Sequence, residues 1–189
     1  MIAAGGGRVI ITWQSGCEDA ERVAAEIRAS GGVCETLQYD ARKSADAQLA
    51  ALAEGPTHAY YFATPLIGRS AGEVFSSGRW RDFQAVYVDG FWQFAQALRT
   101  RRSNLTLFYP SSVFATERPE GMTEYTMAKA AGEVLCADMN ASLHPLRVVV
   151  SRLPRLPTDQ TAGLAESETA SPIEIMLQVV RKVQATRQN

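Results

Sequence analysis

Apolar and polar positions along the chain switch between the period of a strand and that of a helix. Residues 8–13, Arg-Val-Ile-Ile-Thr-Trp, are a β-branched apolar run that predicts a buried strand. Residues 18–30 are rich in Ala, Glu and Arg, with Val23 and Ile27 four apart. They stop at Gly31-Gly32, which predicts a helix with a glycine stop. A second strand follows over 33–38, then a helix over 44–53 closed by Gly55-Pro56, and a third strand over 58–63 broken by Thr64-Pro65. A loop over 65–78 leads into a long helix over 80–100, a strand over 104–109, a helix over 125–142 and a strand over 147–151. The last element is a helix over 172–183, with Pro172 at its start. Strands alternating with helices predict an α/β fold with a doubly wound parallel sheet. Residues 1–189 are expected to form a single domain, with the polar stretch 157–171 as a mobile loop.

Composition narrows the partners. A hydrophobic fraction of 46% and a charged fraction of 21% are those of an ordinary globular protein. A formal net charge of −1 gives no electrostatic reason to expect nucleic acid or an anionic membrane. No apolar run approaches the length of a membrane span, so a cytoplasmic protein is expected. Cys17, Cys34 and Cys136 make neither a CxxC pair nor a disulfide framework, and His58 and His144 are too few for a zinc set.

The chemistry concentrates in Ser112, Tyr125 and Lys129. A tyrosine and a lysine four apart on a helix share one face, where the ammonium is expected to lower the phenol pKa from its usual value near 10. Ser112, thirteen residues before the tyrosine, follows the end of the strand predicted over 104–109 and could hold a substrate oxygen beside the phenol. This is the acid/base half of a carbonyl reduction.

Together with the order of the elements, these residues make nearly the whole chain resemble the short-chain dehydrogenase/reductase family. Residues 3–13 resemble the end of that family's first helix and its second strand, and residues 16–32 the helix that follows. Ser112, Tyr125 and Lys129 match the catalytic serine and YxxxK at the usual spacing. Asp40 stands where an aspartate contacts the adenine, and Ala63, in Phe62-Ala-Thr-Pro65, where the backbone runs beside the cofactor. Thr158, in the segment from Leu153 to Gln160, matches the threonine beside the nicotinamide amide. The resemblance implies a Rossmann-like fold, NAD(P) as cofactor, a carbonyl or alcohol substrate, and a homodimer through the helices 80–100 and 125–142.

The departures are as informative. The family's first strand runs into a TGxxxGxG turn that cradles the pyrophosphate, whereas Gly5-Gly6-Gly7 precedes a strand. The first strand with its glycine-rich turn and the last strand are therefore expected to be absent, leaving a truncated sheet of about five strands. Tyr87 stands where the family places an asparagine of its proton relay, and Arg155 where it places the glycine of a Pro-Gly pair. A second register takes residues 8–13 as the first strand of a flavodoxin-like sheet, with Gln14-Ser-Gly-Cys17 as the phosphate turn.

Three functional readings follow. The first is an NAD(P)-dependent ketoreductase or dehydrogenase domain that is incomplete or inactive alone, its missing strand coming from preceding sequence or another chain. The second is a cofactor-free structural or assembly domain, resembling the structural half of ketoreductases in polyketide and fatty acid synthases. The third is a small-molecule binder without redox chemistry. Without the phosphate loop Asp40 is read by preference as a strand-end aspartate capping the next turn, and Arg99, Arg101 and Arg102 as cations at a helix C-terminus in preference to a basic patch.

Overall fold

Strands β1 (Val9–Trp13) and β2 (Cys34–Gln38) pair in parallel, from Val9 opposite Cys34 to Trp13 opposite Gln38. Strands β3 (His58–Tyr60), β4 (Thr106–Ser112) and β5 (Arg147–Leu153) form a second parallel sheet in the order β3-β4-β5. No ladder joins β1 to β3 among the described residues. The computed structural model describes residues 1–70, 72, 74–156 and 171–185. The predicted loop over 157–171 falls almost wholly outside these residues.

The helices follow from local chemistry. Helix α1 (Cys17–Ala29) carries Glu18 and Asp19 in its first turn and Arg28 in its last, as the helix dipole favours. It ends where predicted. Gly31, at φ +83°, lets its own N–H reach Arg28 O at 3.0 Å and that of Gly32 reach Ile27 O at 2.9 Å. Helix α2 is shorter than expected, Ala45–Leu49.

The long helix predicted over 80–100 is an α–π–α run: α3 (Ser77–Gln84), a π segment (Ala85–Gly90) and α4 (Phe91–Arg99). The Tyr61 hydroxyl donates to Val86 O at 2.8 Å, inside the π segment. Gly90 lies so close to the Ala41 carbonyl that an added Cβ would stand 2.5 Å from its oxygen. These tertiary contacts account for an irregularity that helical periodicity does not announce. A short helix α5 (Phe114–Glu117), then α6 (Thr123–Ser142) and α7 (Pro172–Gln184) complete the layers.

Strand β4 is the centre of the core. Leu107 and Tyr109 face Phe91, Leu98, Met139 and Leu146 on one side, and Phe108 faces Val179 and Val183 of α7 on the other. The two sheets share the first of these clusters. Phe94 of α4 packs edge-on to Tyr39, just after β2, at 5.5 Å and against Tyr61, just after β3, at 5.3 Å. The flavodoxin-like register requires β1 beside β3 and is therefore corrected: among the described residues β1 pairs with β2 alone and β3 with β4 alone.

Candidate functional site

Ser112 ends β4, and Tyr125 opens the second residue pair of α6, so a strand end and a helix start converge. Ser112 Oγ accepts the Phe114 N–H at 3.2 Å, which orients it. The serine hydroxyl favours the phenolate form of Tyr125, opposing the effect of burial on that phenol. The tyrosine ring is held edge-on by Phe83 and Tyr87, both at 5.7 Å, and by Phe114 at 6.3 Å.

Lys129 lies one turn further along α6, buried, with its Nζ donating to Pro110 O at 2.7 Å. That Nζ stands 3.7 Å from the centroid of the Tyr87 ring and 5.7 Å from that of Tyr125. The Tyr87 hydroxyl is in turn hydrogen-bonded to Thr64. Burial brings the Lys129 pKa down to about 7.

The expectation that the ammonium lowers the Tyr125 pKa needs correction. Burial pushes that phenol up, and the Ser112 hydroxyl opposes the rise only in part. The reason is geometric: the lysine is committed to a backbone carbonyl and another tyrosine's π face.

The other predicted positions separate. Asp40 caps its own turn: its carboxylate accepts the Arg42 N–H at 2.9 Å and lies 3.8 Å from Lys43 Nζ. Its backbone N–H and C=O are both bonded to Gln48. Ala63 is half-buried against both the main core and the cluster around Tyr125. Thr158 lies outside the described residues.

Sequence reasoning missed Glu124 and Arg79. Glu124 is fully buried next to Tyr125, accepts the Ser76 N–H at 2.5 Å and lies 3.6 Å from Arg79 Nε. Arg79 also donates to Gly68 O at 2.5 Å, so the pair pins the segment between β3 and α3 over the tyrosine. The only signal was an acidic residue in the first turn of a helix, which reads as dipole compensation.

Among the described residues no glycine-rich turn leads from a strand into a helix to cradle a pyrophosphate. The helix start nearest in kind to a phosphate turn, α1, follows a single glycine, Gly16, and carries Glu18 and Asp19 in its first turn, which repel an anion. At the other end of the site the lysine is turned into the core. Among the described residues no group of three or more His, Cys, Asp or Glu is placed to hold a metal, and no helix is long and apolar enough to cross a membrane.

No family model matches the sequence, and no curated protein matches it either. Solved structures do share its fold. An alcohol dehydrogenase from the archaeon Thermococcus sibiricus, complexed with 5-hydroxy-NADP, superposes with a TM-score of 0.85 at 14% identity, over 100% of this chain and 84% of that one. A gluconate 5-dehydrogenase from Burkholderia cenocepacia, in complex with NADP and tartrate, gives 0.76 at 18% identity over 88% and 69%. An acetoin dehydrogenase from Enterobacter cloacae gives 0.73 at 20% identity over 83% and 68%. The chain therefore has the Rossmann-like fold of the short-chain dehydrogenases/reductases.

Proposed function

We propose that this chain is an oxidoreductase-type domain of the short-chain dehydrogenase/reductase kind that does not transfer hydride by itself. Its lineage is NAD(P)-dependent, the cofactor class of its structural neighbours. Ser112 and Tyr125 retain the means to bind a carbonyl or alcohol oxygen and exchange a proton with it. The observation that carries the reading is the Lys129 ammonium, buried and held between Pro110 O and the Tyr87 ring. Proton transfer without a bound hydride carrier does not reduce a carbonyl.

Titration of the chain with NADPH and with NADH, following nicotinamide fluorescence, tests this. No saturable change in the micromolar range is expected, and a saturable one would sink the proposal.

The same cluster favours a second reading, a structural or assembly domain in which the three residues serve as core. Its partner surface would be the outer face of α4 and α6, where Trp92, Met127 and Val134 are exposed. A homodimer through that face, in the cytoplasm, accords with the three free cysteines. A monomeric mass in light scattering at micromolar concentration would count against the dimer.

A further inference from the structure

Three chain segments meet in a cavity of about 340 Å³ outside the Ser112 site. The turn after β2 supplies Arg42, the stretch after β3 supplies Pro65 and Leu66, and α3 supplies Arg79, Asp82 and Phe83. Asp82 and Phe83 lie three and four residues after Arg79, so one face of the helix lines the cavity. Its volume is at the small end of ligand sites. Phe83 belongs both to this wall and to the rings around Tyr125, whereas Ser112, Tyr125, Lys129, Asp40 and Ala63 are not part of the lining. The cavity is therefore distinct from the acid/base residues and from the positions compared with a dinucleotide site.

Its charges are unevenly matched. The Asp40 carboxylate is occupied by the Arg42 N–H at 2.9 Å and by Lys43 Nζ at 3.8 Å. The exposed Arg42 guanidinium thus has no acidic partner among the described residues. Arg79 is fixed on two sides, its Nη2 donating to Gly68 O at 2.5 Å and its Nε facing Glu124 at 3.6 Å. Its remaining nitrogen, Nη1, has no partner among the described residues. Two guanidiniums therefore line one cavity, one of them held in place by the fold, and their planar forks of N–H donors suit a carboxylate. The exposed Asp82 lines it too and opposes a second negative charge.

The rest of the wall is apolar. Leu66 is 79% exposed, Pro65 precedes it, and Phe83 contributes a buried ring. A molecule laid against them takes the leucine out of water. We propose that this cavity binds a small organic acid. One carboxylate faces Arg42 and Arg79, and an apolar body, a single ring or a short chain, lies against Pro65, Leu66 and Phe83. The carboxylate uses Arg42 and the free Nη1 edge of Arg79, so Arg79 keeps its hold on Gly68 and Glu124.

The test uses the full chain with three probes: phenylacetate, its neutral counterpart phenylacetamide, and inorganic phosphate. NMR titration with phenylacetate should give saturable shifts of the Leu66 methyl groups and the Phe83 amide. Phenylacetamide should bind about tenfold more weakly, the loss expected of one charge-assisted hydrogen bond. Phosphate, which has no apolar body and brings a second charge to Asp82, should also bind more weakly. Arg42→Gln should weaken phenylacetate about tenfold and leave phenylacetamide unchanged. Leu66→Ser should weaken both. The side chains of Arg42 and Leu66 are exposed, so neither change disturbs the core.

Equal affinities of acid and amide overturn the proposal, since the guanidiniums would then contribute nothing. So does an Arg42→Gln chain that binds phenylacetate as the parent does. Phosphate binding as tightly as phenylacetate, which would mean an adventitious ion only, overturns it too. So does saturation that leaves Leu66 and Phe83 unshifted, or no saturation in the millimolar range. Binding is read without cofactor and away from Ser112 and Tyr125, so its failure and that of the functional proposal are distinguishable.

Discussion

The Nζ of Lys129 lies 3.7 Å from the centroid of the Tyr87 ring, with the Pro110 carbonyl 2.7 Å away. Ring and carbonyl both favour the ammonium while burial disfavours it, and burial brings the pKa to about 7. Replacing the ring with an aliphatic side chain removes one favourable partner. Tyr87→Leu should therefore lower the Lys129 pKa further, whereas Tyr87→Phe, which keeps a π face, should leave it nearly unchanged. NMR titration of the lysine side-chain resonances reads this directly. Tyr87→Phe should cost only about 1 kcal/mol, for the lost bond to Thr64.

The same lysine should make stability depend on pH. Its folded pKa lies below its unfolded value, so above about pH 7 the unfolded chain binds the extra proton and stability rises with pH. The buried thiols Cys34 and Cys136 act in the opposite sense. Burial raises their folded pKa values, Cys136 to about 12, so their contribution is lost as pH rises past the ordinary thiol range. Lys129 therefore dominates between about pH 7 and 8.5. In that window the urea midpoint should climb, by up to about 1.4 kcal/mol per pH unit once converted to free energy. Lys129→Met should flatten the profile, and an unchanged slope in that variant would refute the assignment.

Arg79 and Glu124 should couple strongly. Glu124 is fully buried, and one of its oxygens has Arg79 as its charged neighbour at 3.6 Å. Removing the guanidinium leaves a buried carboxylate with only the Ser76 N–H, which costs about 3 kcal/mol. Arg79→Met should lose that much in chemical denaturation. Arg79→Met with Glu124→Gln should recover part of it, because no uncompensated charge remains. Additive losses would mean that the two side chains do not interact.

What could be read from the sequence was whatever rests on local pattern. The strand at Val9–Trp13, the glycine stop at Gly31 and the helix carrying Tyr125 and Lys129 all depend on neighbours within a few residues. So did the expectation that the first strand is missing, because a phosphate turn must follow a strand and Gly5-Gly6-Gly7 precedes one; that the five strands would divide into two sheets was not read there. What escaped depends on residues far apart in sequence. The π segment accompanies Tyr61 and Ala41 approaching Val86 and Gly90, and nothing within residues 85–90 signals that approach. Tyr87 was legible as a departure from the asparagine of the resembling family. That its ring would cover the lysine was not, since this requires α6 and the π segment to be packed together. Asp40, readable either as an adenine contact or as a cap, is bonded as a cap.

Gly132 in α6 tests how tightly that helix sits on the sheet. An added Cβ there would overlap the Tyr109 hydroxyl and the ring carbon that bears it. Alanine in place of glycine within a helix ordinarily stabilises by about 1 kcal/mol. Overpacking a rigid aromatic costs about 1–3 kcal/mol, and Tyr109 has no room to retreat, being buried against Phe91 at 4.8 Å. Overpacking should win, so Gly132→Ala should lower the melting temperature. The Tyr109 hydroxyl is also buried without a hydrogen-bond partner. Tyr109→Phe should therefore be neutral or stabilising by about 1 kcal/mol, since it removes an unsatisfied polar group. Combined with Gly132→Ala it should recover part of the loss, because the hydroxyl clash goes while the ring-carbon contact stays. Calorimetry of the three variants decides the matter: a Gly132→Ala chain as stable as the parent would show that α6 can lift off β4.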